Sequence, residues 1–179
     1  MISICDRKRL LEANTSQESY KKLWESVKFD GKGSVEMVPV FSHNHGSFSN
    51  LGLTSTKEDM FKAVIESLTF ETRRIVDQCA RYKKGSLNSV RIGGGAANSP
   101  EWLQLRADIT GKTFERMENI EVSSLGAAVL AAVSVSVYRN ITDAVAKMVV
   151  VKDAFTPNKE VYDRYDSKYQ AYVNKVDTL

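Results

Sequence analysis

One segment narrows the folds open to this chain more than any other. Ser89–Ile92 reads as a short buried strand, and it runs through Gly93-Gly94-Gly95 into Ala96-Ala97-Asn98-Ser99-Pro100-Glu101. The second part is a helix start, with a capping side chain, proline at the first helical position and an acid in the first turn. Gly111 ends that helix, and the next strand is expected near Thr113–Met117. A strand, a glycine turn, a helix and a returning strand imply an α/β layered domain.

The flanking sequence fits the same class. Thr15 with Glu18 is a capping box opening a helix whose Tyr20, Leu23, Trp24 and Val27 share one face. Asp30–Ser34 is a turn, Met37–Phe41 a strand, and Ser42–Asn50 a loop. Ser55 with Glu58 suggests a second capping box before the longest helix, which carries Met60, Phe61, Val64, Ile65, Leu68, Ile75, Val76 and Cys79 as an apolar stripe. Lys83 and Lys84 suit its negative end and Gly85 its termination. A small-residue helix starts at Ser124, another opens at Thr142, and a last one follows Pro157. The apolar run Leu125–Tyr138 falls short of the ~20 residues a membrane-spanning helix needs, so it is expected to be a buried core helix.

With 179 residues the chain is expected to form a single domain, residues 1–35 as a helical leader and 36–179 as core. Its 42% hydrophobic and 26% charged content is that of a globular chain. The net charge of +3 comes from interleaved bases and acids and gives no argument for nucleic-acid or membrane binding, and neither is expected. Cys5 and Cys79 lie far apart, and no signal peptide is visible. Two reduced thiols in a cytoplasmic protein are expected.

Glycines between a strand and a helix N-terminus let backbone amides approach an anion, and the helix end adds donors and partial positive charge. Phosphate is the usual guest. The turn has no Gly-Lys-Ser/Thr of a Walker A loop and lacks the Rossmann glycine spacing. Such turns also occur simply to pack a helix against a strand.

Gly93-Gly94-Gly95-Ala96, followed by Asn98-Ser99-Pro100-Glu101-Trp102-Leu103-Gln104-Leu105-Arg106-Ala107-Asp108-Ile109-Thr110-Gly111, resembles the signature of the FGGY carbohydrate kinases. Glu121-Val122-Ser123-Ser124-Leu125-Gly126-Ala127-Ala128 resembles the block that follows it in that family. The likeness is close over Ser89–Val176, including Ala154-Phe155-Thr156-Pro157-Asn158. It is weaker over Glu36–Lys84 and thin over Met1–Val35.

The resemblance implies an actin-like ATPase (ribonuclease H-like) fold, a mixed sheet flanked by helices, with this chain as the C-terminal, nucleotide-binding half. It places Gly94, Gly95 and Ala96 along the phosphates and ribose of ATP or ADP, with Gly93 in the same nucleotide-binding turn. Ser99, with Asn98, would reach the adenosine side, and Gly126, Ala127 and Ala128 would let a helix lie close under the nucleotide. The implied reaction is Mg2+-dependent phosphoryl transfer to a sugar or polyol hydroxyl. The resemblance puts the Asp-x-Gly-Thr phosphate strand, the catalytic carboxylate and the main Mg2+ ligands in an N-terminal half, so no catalytic or metal residue is assigned here. By itself the chain is expected to be inactive. Its expected partner is that half or a second copy, through the apolar N-terminal segment with Leu10, Leu11, Tyr20, Leu23 and Trp24. The alternative is a non-catalytic nucleotide-binding or assembly module derived from a sugar kinase.

Two places depart from the family pattern. Asp30-Gly31-Lys32-Gly33-Ser34 only superficially resembles a phosphate strand and reads as a turn. The shortened Pro39–Phe48 segment replaces a longer family loop. Within it His43 and His45 form an H-x-H, but nothing at usable spacing completes a metal site, and solvated histidines are expected. Tyr162, Tyr165, Tyr169 and Tyr172 recur at helical spacing and read as a packing stripe. Trp24 and Trp102 fit apolar helix faces, and Cys79 reads as packing.

Overall fold

A computed structural model describes residues 17–40, 45–82 and 87–178. They divide into two compact units, one ending at Ser67 and one beginning at Leu68. Thr15, Leu10, Leu11, His43, Lys83, Lys84, Gly85 and Cys5 lie outside the described residues.

The first unit contains helix α1 (Gln17–Ser26) and a hairpin of β1 (Glu36–Val40) and β2 (His45–Ser49). The strands pair antiparallel, Glu36 opposite Ser49 and Pro39 opposite Gly46. Strand β2 occupies the stretch expected as loop. Gly46, Ser47, Phe48 and Ser49 are all exposed, so β2 has no apolar alternation to betray it and is held by its backbone ladder. A Cβ on Gly46 would lie 2.9 Å from the Val38 carbonyl oxygen, so this rung requires glycine.

Trp24 packs tilted against Phe29 and edge-on to Phe61, ring centroids 5.1 and 5.5 Å away, as a helix-face tryptophan should. The Asp30–Ser34 turn is confirmed. The Lys32 amide donates to Asp30 Oδ1 at 3.0 Å, and Gly31 and Gly33 take φ of 77° and 110°. Lys62 Nζ fastens the turn, donating to Asp30 Oδ1 at 2.9 Å and to the Lys28 carbonyl at 2.7 Å.

The long helix α2 spans Lys57–Tyr82. Its capping box is one residue later than expected. The Asp59 amide donates to Thr56 Oγ1 at 3.2 Å, and the Thr56 amide to Asp59 Oδ2 at 2.9 Å. Ser55 Oγ instead accepts from the Gly52 amide. The buried side also differs in part. Ala63, Ile65, Phe70 and Val76 are buried, but Ile75 is 59% exposed and Cys79 is exposed, so Cys79 does not serve packing within the chain.

The second unit is built on β3 (Ser89–Ile92), β4 (Thr113–Met117) and β5 (Val151–Phe155) in the order β3-β4-β5. β3 and β4 are parallel, joined through α3 (Pro100–Thr110), and β5 adds antiparallel to β4. This is the expected mixed sheet with flanking helices. β5 escaped the sequence reading because it is an edge strand whose Val151, Lys152 and Ala154 are exposed.

Helices α4 (Val122–Ser134), α5 (Ile141–Met148) and α6 (Lys159–Val176) complete the unit. Leu103, Ala107, Ile109 and Phe114 are almost fully buried at its centre. The tyrosine stripe packs as expected: Tyr165, Tyr169 and Tyr172 are buried against Phe70, with centroids 6.2, 5.9 and 5.2 Å from it. Tyr162 instead takes part in a polar seam. Arg73 lies 4.7 and 4.0 Å over the Tyr162 and Tyr169 rings and donates to Tyr162 Oη at 2.9 Å.

Helix α4 corrects the expectation of a buried core helix. Within it only Val129 is buried, while Leu130, Val135 and Val137 of the apolar run are 60%, 70% and 66% exposed. Composition reports what a surface can bury, not whether anything within the chain covers it. Among the described residues no helix is long and apolar enough to cross a membrane.

Candidate functional site

The turn after β3 is shaped by glycines with different duties. A Cβ on Gly93 would lie 2.3 Å from Val122 Cγ1 and 3.0 Å from the Ile120 carbonyl oxygen, so glycine there lets the start of α4 pack against the strand end. Gly94 takes φ 79° and donates its amide to the Ile120 carbonyl at 2.7 Å. Gly95 differs from both. It is exposed, its φ is not left-handed, and a Cβ on it would meet nothing within 4 Å. The fold of this chain places no steric demand for glycine at position 95.

Gly95–Asn98 form one turn of 3-10 helix, in which the Ala97 amide bonds back to the Gly94 carbonyl. Ser99 then caps α3, its Oγ accepting from the Trp102 amide at 3.2 Å and donating to Glu101 at 3.1 Å. Pro100 stands at the first helical position, and Gly111 ends the helix at φ 66°. Two helix N-termini thus follow in succession; the second opens on Pro100, which carries no amide proton, and its Trp102 amide is taken by the Ser99 cap. Asn98 is exposed and Ser99 half-buried at the junction. Gly93, Gly94, Gly95, Ala96, Asn98 and Ser99 are therefore brought together on one turn.

A half-buried ionic support adjoins it. Arg116 on β4 donates from Nη1 to the Ala97 carbonyl at 3.3 Å. The same guanidinium grips Asp153 on β5, with Nε to Oδ1 at 2.8 Å and Nη2 to Oδ2. This fork holds the Asp153 carboxyl below the usual carboxylate range. Sequence reasoning passed over Arg116 and Asp153, since their pairing depends on the unforeseen strand β5. Trp102 closes the other side, donating from Nε1 to Thr69 Oγ1 at 3.0 Å. Arg106 stacks over its ring at 4.4 Å.

A groove of about 560 Å³ opens beside the turn, reaching Ile92 and Gly93 and lined by Leu125, Val129, Leu130 and Val145. Gly126 also borders it, and a Cβ there would meet nothing within 4 Å. His45 lies on β2, and among the described residues no group of three or more His, Cys, Asp or Glu could hold a metal.

Residues 6–135 match the FGGY family of carbohydrate kinases, C-terminal domain. A glycerol kinase of Lactobacillus acidophilus is 30% identical over 169 residues, covering 86% of this chain and 33% of its own length. The solved xylulose kinase of Lactobacillus acidophilus, with bound ligand, superposes with a TM-score of 0.80 at 18% identity, over 96% of this chain and 36% of that one. The Plasmodium falciparum glycerol kinase solved with ADP superposes with a TM-score of 0.71 at 21% identity, over 94% of this chain and 36% of that one. The chain thus spans about a third of the length of these relatives.

Proposed function

This chain belongs to the FGGY family of carbohydrate kinases, as its C-terminal domain, and we propose that it binds ATP and ADP through Gly93–Ser99. The carrying observation is Gly95, which is open to solvent and not required by any neighbour in the chain. A glycine at such a place leaves the backbone accessible to something outside the fold, and the adjoining helix start suits a phosphate. The ADP in the Plasmodium glycerol kinase supports the choice of guest.

On this reading Gly94, Gly95 and Ala96 lie along the phosphates and ribose. Asn98 and Ser99 face the adenosine side, while the Ser99 cap keeps that junction rigid. Arg116 acts from behind, fixing the turn through the Ala97 carbonyl. The domain's contribution to phosphoryl transfer is positioning, with the donor held so that a sugar or polyol hydroxyl can approach in line. Among the described residues no group of three or more His, Cys, Asp or Glu forms a self-contained metal site, and the family likeness points to Mg2+ ligands elsewhere in the kinase. On that likeness the metal's protein ligands and the base that takes the hydroxyl proton are assigned to the remainder of the kinase, and on this reading the isolated chain does not phosphorylate sugars.

Calorimetric titration with ADP tests the reading. Saturable binding at millimolar nucleotide, weakened by Gly95→Val, is expected. No heat of binding, or equal binding by the variant, overturns it.

A further inference from the structure

Ala97 is fully buried in the middle of the glycine turn, and its carbonyl is an acceptor the turn itself leaves open. The Ala97 amide closes the 3-10 turn on the Gly94 carbonyl at 3.0 Å. The next bond of such a turn would run from residue 100 to the Ala97 carbonyl, and Pro100 has no N–H to give. Arg116 supplies the donor from β4, its Nη1 lying 3.3 Å from that oxygen. A buried acceptor without a partner costs more than an ordinary bond gains, so the turn depends on this contact.

The guanidinium is itself held. Asp153 stands directly opposite Arg116 on β5 and accepts from Nε and Nη2, which leaves Nη1 for the Ala97 carbonyl. Immediately beyond this rung the ladder slips. Arg116 pairs with Asp153 but Met117 pairs with Val151, so Lys152 is the extra residue of a β-bulge. Bulges bend a strand and re-aim the side chains beside them.

We propose that Asp153 is a positioning residue for the nucleotide: it fixes the Arg116 fork so that Nη1 holds the Ala97 carbonyl and the Gly95–Ala97 backbone keeps its direction. The inference rests on the nucleotide reading above and adds a residue of the edge strand that touches no ligand. A cation beside a phosphate turn can act in two ways, and they differ in sign. If Arg116 acted by its charge, Asp153 would oppose it, and removing the carboxylate would tighten nucleotide binding. If Arg116 acts as a fixed donor, removing the carboxylate frees the guanidinium, loosens the turn and weakens binding. The contacts favour the second, since two of the three guanidinium nitrogens are spent on Asp153 and the third on a backbone carbonyl.

The test is calorimetric titration of the 179-residue chain with ADP, joined to amide hydrogen exchange without nucleotide. Asp153→Asn should weaken ADP binding about three- to tenfold, the worth of one net hydrogen bond, and should speed exchange of the Ala97 amide. Arg116→Lys, which keeps the charge and loses the fork, should do the same, and Asp153→Glu should bind more tightly than Asp153→Asn. Glu115→Gln, which breaks the 3.2 Å pair with Arg91 between β3 and β4, should change neither readout. Tighter or unaltered binding by Asp153→Asn overturns the proposal. An equal loss in Glu115→Gln also overturns it, as it would mark a general loosening of the sheet. Absence of ADP binding by the unaltered chain removes the nucleotide reading and this one with it, whereas ADP binding indifferent to the pair removes this one alone.

Discussion

The Asn158 backbone amide donates to Asp108 Oδ1 at 2.8 Å, tying the first turn of α6 to the buried face of α3. Gln104 reinforces the tie, its Nε2 donating to the same oxygen at 2.8 Å and to the Thr156 carbonyl at 2.8 Å. Asn158 in turn caps α6 through the Glu160 and Val161 amides. Asp108→Ala would take the acceptor away from the Asn158 amide and Gln104, whose bonds to it are half-buried, and should cost about 0.5–1.5 kcal/mol in urea unfolding. Asp108→Asn keeps an acceptor oxygen and should cost less. Equal losses would show that the acceptor is not what matters.

Burial raises the Asp108 carboxyl above its ordinary value, whereas the hydrogen bond from Lys62 lowers Asp30 to about 2. The signs are opposite. The Asp30 contribution is present above its ordinary value of 3.8 and is lost as pH falls toward 2. The Asp108 contribution is full below 3.8 and is lost as pH rises through its elevated folded value. Asp30→Asn should therefore destabilise the chain at pH 6 and lose most of its effect as pH falls to about 2, as followed by unfolding midpoints. A difference that persisted undiminished at the acid end would contradict the ion pair with Lys62.

Phe70 is 6% exposed and central to the tyrosine stripe of α6. Phe70→Ala should cost about 3–5 kcal/mol in denaturant unfolding, as large-to-small core changes do. Ile75→Ala, at a position 59% exposed, should change stability by no more than about 0.5 kcal/mol.

The glycines of the turn should separate stability from binding. Gly93→Ala forces a clash with Val122 and should lower the melting temperature. Gly95→Ala meets open space and should leave melting nearly unchanged. If position 95 proved as sensitive to heat as position 93, the assignment of separate duties would be wrong.

The turn and its flanks were legible because local chemistry fixes them. Ser99, Pro100 and Gly111 specify the limits of α3 by themselves, and β3 and β4 have the expected boundaries. What escaped depends on distant partners. β2 and β5 are strands with exposed side chains, recognisable only from β1 and β4 beside them. Arg116 and Asp153 could not be paired without β5. The apolar run of α4 was read as a buried core helix, yet most of it is exposed in the chain. Cys79 failed for the same reason, since helical spacing does not tell a covered face from an open one.

The isolated chain should show no sugar kinase activity above the background of a mock purification. The missing base alone accounts for about 10²–10⁴-fold. Phosphorylation of glycerol, xylulose or gluconate at ordinary enzyme rates by a clean preparation would contradict the division of labour proposed.

The most direct measurement of the central claim is an amide-resolved nuclear magnetic resonance titration of the chain with ADP. The largest shifts are predicted at Gly94, Gly95, Ala96, Asn98 and Ser99, and a folded Gly95→Val variant should need more ADP to reach them. Shifts confined to other segments, or an unaltered response in the variant, would contradict it.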